Sequence, residues 1–87
     1  MAISFPNTSR SFDAARRSIS FWGYDSTFEF TFHIGEDALR SLNPDIRGDE
    51  SSMLGVFDAH RGRIQAAAGV AYGRGRQSSY RLAASDI

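Results

Sequence analysis

Polar and apolar residues alternate most strictly at Thr27-Phe28-Glu29-Phe30-Thr31-Phe32-His33-Ile34, where four apolar side chains separate four polar ones. That two-residue period, carried by aromatic and β-branched residues, predicts a strand with Phe28, Phe30, Phe32 and Ile34 on its core face. A similar alternation on either side of Asp13-Ala14-Ala15-Arg16 predicts a hairpin over residues 11–21, with Asp13 opening the turn. Gly23 and Asp25 supply turn chemistry for a second hairpin, pairing Ser18–Trp22 with Thr27–Ile34. Ile3 and Phe5 alternate before Pro6, which cannot donate to a ladder, so a short edge strand ends there.

The period then changes. Gly35, Glu36 and Asp37 open a short helix through Leu42, and Asn43-Pro44 stops it. After a loop over 43–49, one long helix is expected from Glu50 to Gly73, with Asp49 as its N-cap. On it Met53, Phe57, His60, Ile64, Ala67, Ala68 and Ala71 fall in one arc, flanked by Leu54 and Tyr72. Gly73-Arg74-Gly75-Arg76 ends this helix, and Tyr80-Arg81-Leu82 reads as a last strand returning to the sheet. The predicted fold is α+β: a small antiparallel sheet, made of an N-terminal meander and a C-terminal strand, with one short and one long helix packed on one face. Residues 1–87 are expected to be one domain, because a chain this short has room for one core.

Composition narrows the chemistry. The chain has no Cys, which removes thiol nucleophiles, disulfides and thiolate metal sites. Every one of its ten basic residues is Arg, so a Schiff-base lysine or a phosphate-binding P-loop lysine is excluded. No run approaches the roughly 20 apolar residues of a membrane span. The N-terminal MAISFPN lacks the charged and apolar regions of a secretory signal, so a cytoplasmic protein is expected. Formal net charge is zero but unevenly spread: residues 26–58 hold two Arg against seven acids, and residues 59–87 hold five Arg against one Asp.

Several spaced segments carry a resemblance: Ile3-x-Phe5-Pro6-Asn7, Phe12-Asp13-x-x-Arg16, Ile19-x-Phe21-Trp22-Gly23, Glu36-Asp37-Ala38-Leu39, Phe57-Asp58-x-His60-Arg61-x-Arg63-Ile64 and Tyr80-x-Leu82. Together they resemble a bacterial family of short hypothetical proteins, domain of unknown function 1488, and Phe-x-x-His-Arg-x-x-Ile is the most specific part. The resemblance implies a single-domain α+β protein of bacterial, cytoplasmic type and transfers no catalytic or binding residue.

Four constellations could carry function. His60 lies in the apolar arc and is expected to be buried, neutral by desolvation and in need of partners for its ring nitrogens. Glu29, Thr31 and His33 share the outer face of the main strand, but the Glu29 and His33 backbones lie about 14 Å apart, too far for one metal ion. No metal or cofactor site is expected, and no nucleophile elbow accompanies the twelve serines, so a non-enzyme is favoured over a small enzyme using His60 or His33. Arg61, Arg63, Arg74, Arg76 and Arg81 make a basic C-terminal third that could bind phosphate or nucleic acid.

The last is a stripe of small residues opposite the arc: Gly55, Ala59, Gly62, Ala66, Gly69 and Gly73 recur at steps of four and three. Each interior glycine costs a helix about 1 kcal/mol relative to alanine, and a compensating contact through this face, with Val56 and Val70 beside it, would account for them. The favoured reading is a small interaction module that self-associates through the stripe. The alternative is a phosphate or nucleic-acid binder using the arginines.

Overall fold

In the computed structural model, which describes residues 3–87, four strands form one sheet: β1 (Arg10–Asp13), β2 (Ser18–Asp25), β3 (Phe28–Gly35) and β4 (Ser79–Leu82). Met1 and Ala2, the start of the MAISFPN segment read for a secretory signal, lie outside the described residues. Strand order follows chain order. Between β3 and β4 come helices α1 (Glu36–Leu42), α2 (Glu50–Ala59) and α3 (Arg61–Gly73), and a 3-10 turn over Ala84–Asp86 ends the chain.

The α+β class is as expected, and β1, β2 and β3 form the antiparallel meander. The last strand differs: β4 runs parallel to β3, with Thr31 opposite Ser79 and Ile34 opposite Leu82, so the sheet is mixed. Three helices separate β3 from β4, and a crossover of this length can bring a strand back in the same direction.

The first hairpin forms as its turn residues dictate. Asp13 accepts hydrogen bonds from the backbone N–H groups of Ala15 and Arg16, and Arg17 completes the turn at φ 49°. The second hairpin turns at Ser26-Thr27, with Ser26 at φ 59°, and not at Gly23. Gly23 is a buried position inside β2, where Ile3 and Phe5 cross the sheet. A Cβ there would lie 2.7 Å from a Phe5 ring carbon and 3.0 Å from the Ile3 terminal methyl, so glycine answers a close approach and not a bend. Beside it, the expected edge strand is a single bridge, with Ser4 and Tyr24 exchanging backbone hydrogen bonds of 2.9 and 2.8 Å.

α1 occupies the expected residues, and Asp49 caps α2 by accepting from the Ser52 N–H. The long helix, however, is broken at His60, whose φ of −117° and ψ of 23° close α2 and open α3. The break changes which faces point inward. α2 buries Met53, Val56 and Phe57, while α3 buries Ile64, Ala67, Ala68 and Tyr72. Val56, expected beside the exposed stripe, is therefore core, and His60, expected in the core, is only half-buried.

The buried residues form one cluster between sheet and helices. Phe32 is its aromatic centre, with ring centroids of Tyr80, Phe21 and Phe5 at 5.0, 5.4 and 5.6 Å. Phe28, expected on the core face, is 61% exposed. It stands at the hairpin end of β3, opposite Asp25, with the Arg76 guanidinium over its ring at 5.8 Å.

Candidate functional site: an arginine cleft beside an open sheet face

Period two assigns the sheet's two faces. Ile19, Phe21, Phe30, Phe32, Ile34, Tyr80 and Leu82 point into the core. The intervening residues point the other way, and strand register sets them in rows. One row runs Ser11, Ser20, His33, Arg81 across all four strands, and the next runs Trp22, Thr31, Ser79. Every residue in these two rows is half-buried or exposed. The row beyond Ser20 and His33 holds Asp13, Ser18 and Gly35, of which Ser18 and Gly35 are buried.

Ser18 and Gly35 lie where the arginines converge. A cleft of about 360 Å³ is lined by Arg16, Arg17, Gly35, Glu36, Asp37, Arg40 and Arg81. Arg16 and Arg17 come from the first hairpin turn, Arg40 from α1 and Arg81 from β4. The backbone joins two of these elements, since the Glu36 N–H donates to the Arg17 carbonyl at 3.1 Å. Glu36 then pairs with Arg17 at 3.3 Å and with Arg40 at 2.5 Å, and Arg40 also donates to the Ile46 carbonyl. Arg16 and Arg81 have no carboxylate within 4 Å among the described residues. Gly35 keeps the floor open, because a Cβ there would lie 3.0 Å from an Asp37 carboxylate oxygen and 3.3 Å from the Arg81 guanidinium. The lining holds four cations and two anions, and this excess of positive charge in a concave site attracts anions.

His33 borders the cleft through Arg81, its neighbour in register. Burial first, and then the positive charges of Arg81 and Arg16, hold its pKa below the ordinary histidine value. Its Nδ1 lies 2.9 Å from the Ser20 hydroxyl. This is a serine–histidine contact without the carboxylate that would orient the ring from its other nitrogen, since no described residue hydrogen-bonds that nitrogen. Glu29, on the same strand, accepts from the Tyr24 hydroxyl at 2.5 Å. Among the described residues no group of three His, Asp or Glu is placed to hold a metal ion, and no helix is long and apolar enough to cross a membrane.

The basic C-terminal third is scattered by the fold. Arg61 pairs with Asp58 at 2.7 Å and lies over the Phe57 ring. Asp58 also holds Arg10 at 2.8 Å, and Arg10 first, then Arg61, keep its carboxyl below the ordinary aspartate range. Arg63 reaches the main-chain oxygen of Ile87, and Arg74 pairs with Asp86 at 3.2 Å. Arg76 lies 3.9 Å from Asp25 and donates to the Tyr72 hydroxyl, which itself donates to Asp25. Only Arg81 of the five joins the cleft. Its partners there, Arg16, Arg17 and Arg40, are absent from the sequence-derived set because they lie 41 or more residues away in segments of mixed or acidic charge.

The small-residue stripe is divided by the helix break. Gly55 and Ala59 lie on α2, and Gly62, Ala66, Gly69 and Gly73 on α3. All are exposed except Gly69, which is half-buried near Ile3. A Cβ at Gly55, Gly62 or Gly73 would meet nothing within 4 Å, so packing within the chain does not require glycine there. Val70, beside them on α3, is 58% exposed.

These features define a small mixed-sheet α+β protein with an arginine cleft at one end of an open sheet face. The chain belongs to the DUF1488 family, described as a protein of unknown function, which matches residues 3–83. It is similar in fold to the crystal structure of a DUF1488 protein of unknown function from Shewanella loihica. The TM-score is 0.80 at 18% sequence identity, over 92% of this chain and 90% of that one. No curated protein matches the chain.

Proposed function

We propose that this protein is a non-enzymatic binding module that takes an anionic group, of phosphate type, in the arginine cleft. The observation that carries the reading is the convergence of Arg16, Arg17, Arg40 and Arg81 on one concave site, with Arg16 and Arg81 free of carboxylate partners among the described residues. Guanidinium groups suit this task because their planar forks donate two parallel hydrogen bonds to phosphate or carboxylate oxygens. Glu36 holds two of the forks in place while leaving the other two to the ligand. Titration with inorganic phosphate, followed by amide NMR, is expected to shift Arg16, Arg17, Gly35 and Arg81 in a saturable manner, weakening as salt rises. Arg81→Ala is expected to weaken this binding about tenfold, the worth of one charge-assisted hydrogen bond. Shifts that do not saturate, or that ignore Arg81→Ala, would overturn the reading.

A second reading, self-association through α3, is favoured by the 58% exposure of Val70 next to glycines that face open space. Small residues let two helices approach closely, and a closed two-fold dimer is the simplest assembly. Light-scattering mass after size exclusion would then be twice 9.6 kDa at micromolar concentration, falling to 9.6 kDa in Gly62→Glu with the circular dichroism unchanged. A mass of 9.6 kDa for both proteins at every concentration would remove this reading.

A further inference from the structure

The cleft does not stand alone, because the sheet face that leads into it carries the chain's single tryptophan. Trp22 is half-buried in the row Trp22, Thr31, Ser79, one row further from the cleft than Ser20, His33 and Arg81. From Trp22 to Ser18, which faces the cleft-floor Gly35 across β2 and β3, is four residues of strand, or about 14 Å. The surface between is polar and uncharged at Ser20 and Thr31, and burial, followed by the charges of Arg81 and Arg16, lowers the pKa of His33 and favours its neutral form.

We propose that this face and cleft together form a binding track for single-stranded nucleic acid, with a base stacked on Trp22 and a backbone phosphate in the arginine cleft. The inference rests on the cleft being an anion site, and it names the occupant from two features. An aromatic ring on an open sheet face offers a stacking platform that any base can use, and a cationic groove next to it holds the backbone. About 14 Å is beyond the reach from a base to its own backbone phosphate, so a base on Trp22 and a backbone phosphate in the cleft belong to different nucleotides of one strand. Of the acids nearby, the Asp13 carboxylate accepts from the turn N–H groups, Glu29 accepts from the Tyr24 hydroxyl and Glu36 is paired with Arg17 and Arg40, which leaves Asp37 as the one unpaired carboxylate in the lining against four arginines among the described residues. Net charge of zero sets the scale, since with few phosphates neutralised the complex is weak and its affinity falls only gently with salt.

The single tryptophan makes the test direct. An eight-nucleotide oligothymidylate added to the intact protein at low salt is expected to quench Trp22 fluorescence saturably, whereas inorganic phosphate shifts the cleft amides and leaves the emission unchanged. Anisotropy of a labelled oligonucleotide is expected to show binding weakened about fivefold or more by Trp22→Thr, a strand-forming replacement without a ring. Arg81→Ala is expected to weaken it while keeping the full quench at saturation. Phosphate binding without any quench by the oligonucleotide overturns the track and leaves the cleft reading in place. Failure of both probes overturns both, and a duplex that binds as well as the single strand overturns the stacking role of Trp22. The fluorescence of the unaltered protein decides the matter even where Trp22→Thr does not fold.

Discussion

Phe32→Ala is expected to destabilise the protein by about 3–5 kcal/mol, the usual range for removing a fully buried aromatic ring. Phe32 is 0% exposed and sits among the rings of Phe5, Phe21 and Tyr80, which come from the N-terminal segment, β2 and β4. Its removal takes away apolar burial and also leaves a cavity between sequence-distant segments that cannot all close inward at once. Small domains are stable by only about 5–15 kcal/mol, so the loss is a large share of the total. In urea the midpoint is expected to fall with little change of slope, and the melting temperature to drop by about 12 °C or more. Phe32→Leu, which fills most of the space, is expected to lose much less. A loss below about 1 kcal/mol for the alanine variant would mean that the aromatic cluster is not packed as described.

Gly23→Val is expected to destabilise by about 1–3 kcal/mol, the cost of overpacking a filled site, despite the better strand propensity of valine. Its Cβ would press on Phe5 at 2.7 Å and on Ile3 at 3.0 Å, before the two methyl groups are counted. The segment that can yield is the N-terminal one, held to β2 at Ser4 and Tyr24. Amide exchange is therefore expected to speed up at Ser4 and Tyr24 while Phe32 and Ile34, paired deeper in the sheet, stay protected. Equal loss of protection throughout the sheet, or a net gain in stability, would show that Ile3 and Phe5 are not seated over Gly23.

The two positions illustrate different degrees of legibility. Phe32 lies in the strict alternation of residues 27–34, and its burial follows from the two-residue period. Gly23 carries the same letter as a turn glycine, and nothing adjacent in sequence tells that Ile3 and Phe5 return to cover it. His60 shows the same limit on the helices. Spacing from Met53 to Ala71 fits one continuous apolar arc, but a straight helix from Glu50 to Gly73 would be about 36 Å long, and the break lets α2 and α3 each turn its own face to the core.

The candidate site was less legible than the fold. A charge count along the chain pointed to residues 59–87, yet Arg61, Arg63, Arg74 and Arg76 each find a partner within the molecule. Arg16 and Arg17 sit in a segment of nearly balanced charge and Arg40 in an acidic one, and they meet Arg81 only because a hairpin turn, α1 and β4 end at the same corner. Likewise, the row Ser20, His33, Arg81 depends on two strand registers, one antiparallel and one parallel.

Local features are set by near neighbours along the chain: the strands of the meander, the hairpin turn at Asp13, the Asp49 cap, the bounds of α1 and the alternation of the sheet's faces. These follow from backbone propensity and periodicity, which act between residues a few positions apart. The parallel docking of β4, the closure of Ile3 and Phe5 over Gly23, the break at His60 and the gathering of four arginines into one cleft arise only in the folded molecule. Each depends on filling space and pairing charge between segments distant in the chain, and those energies exist only once the segments have met.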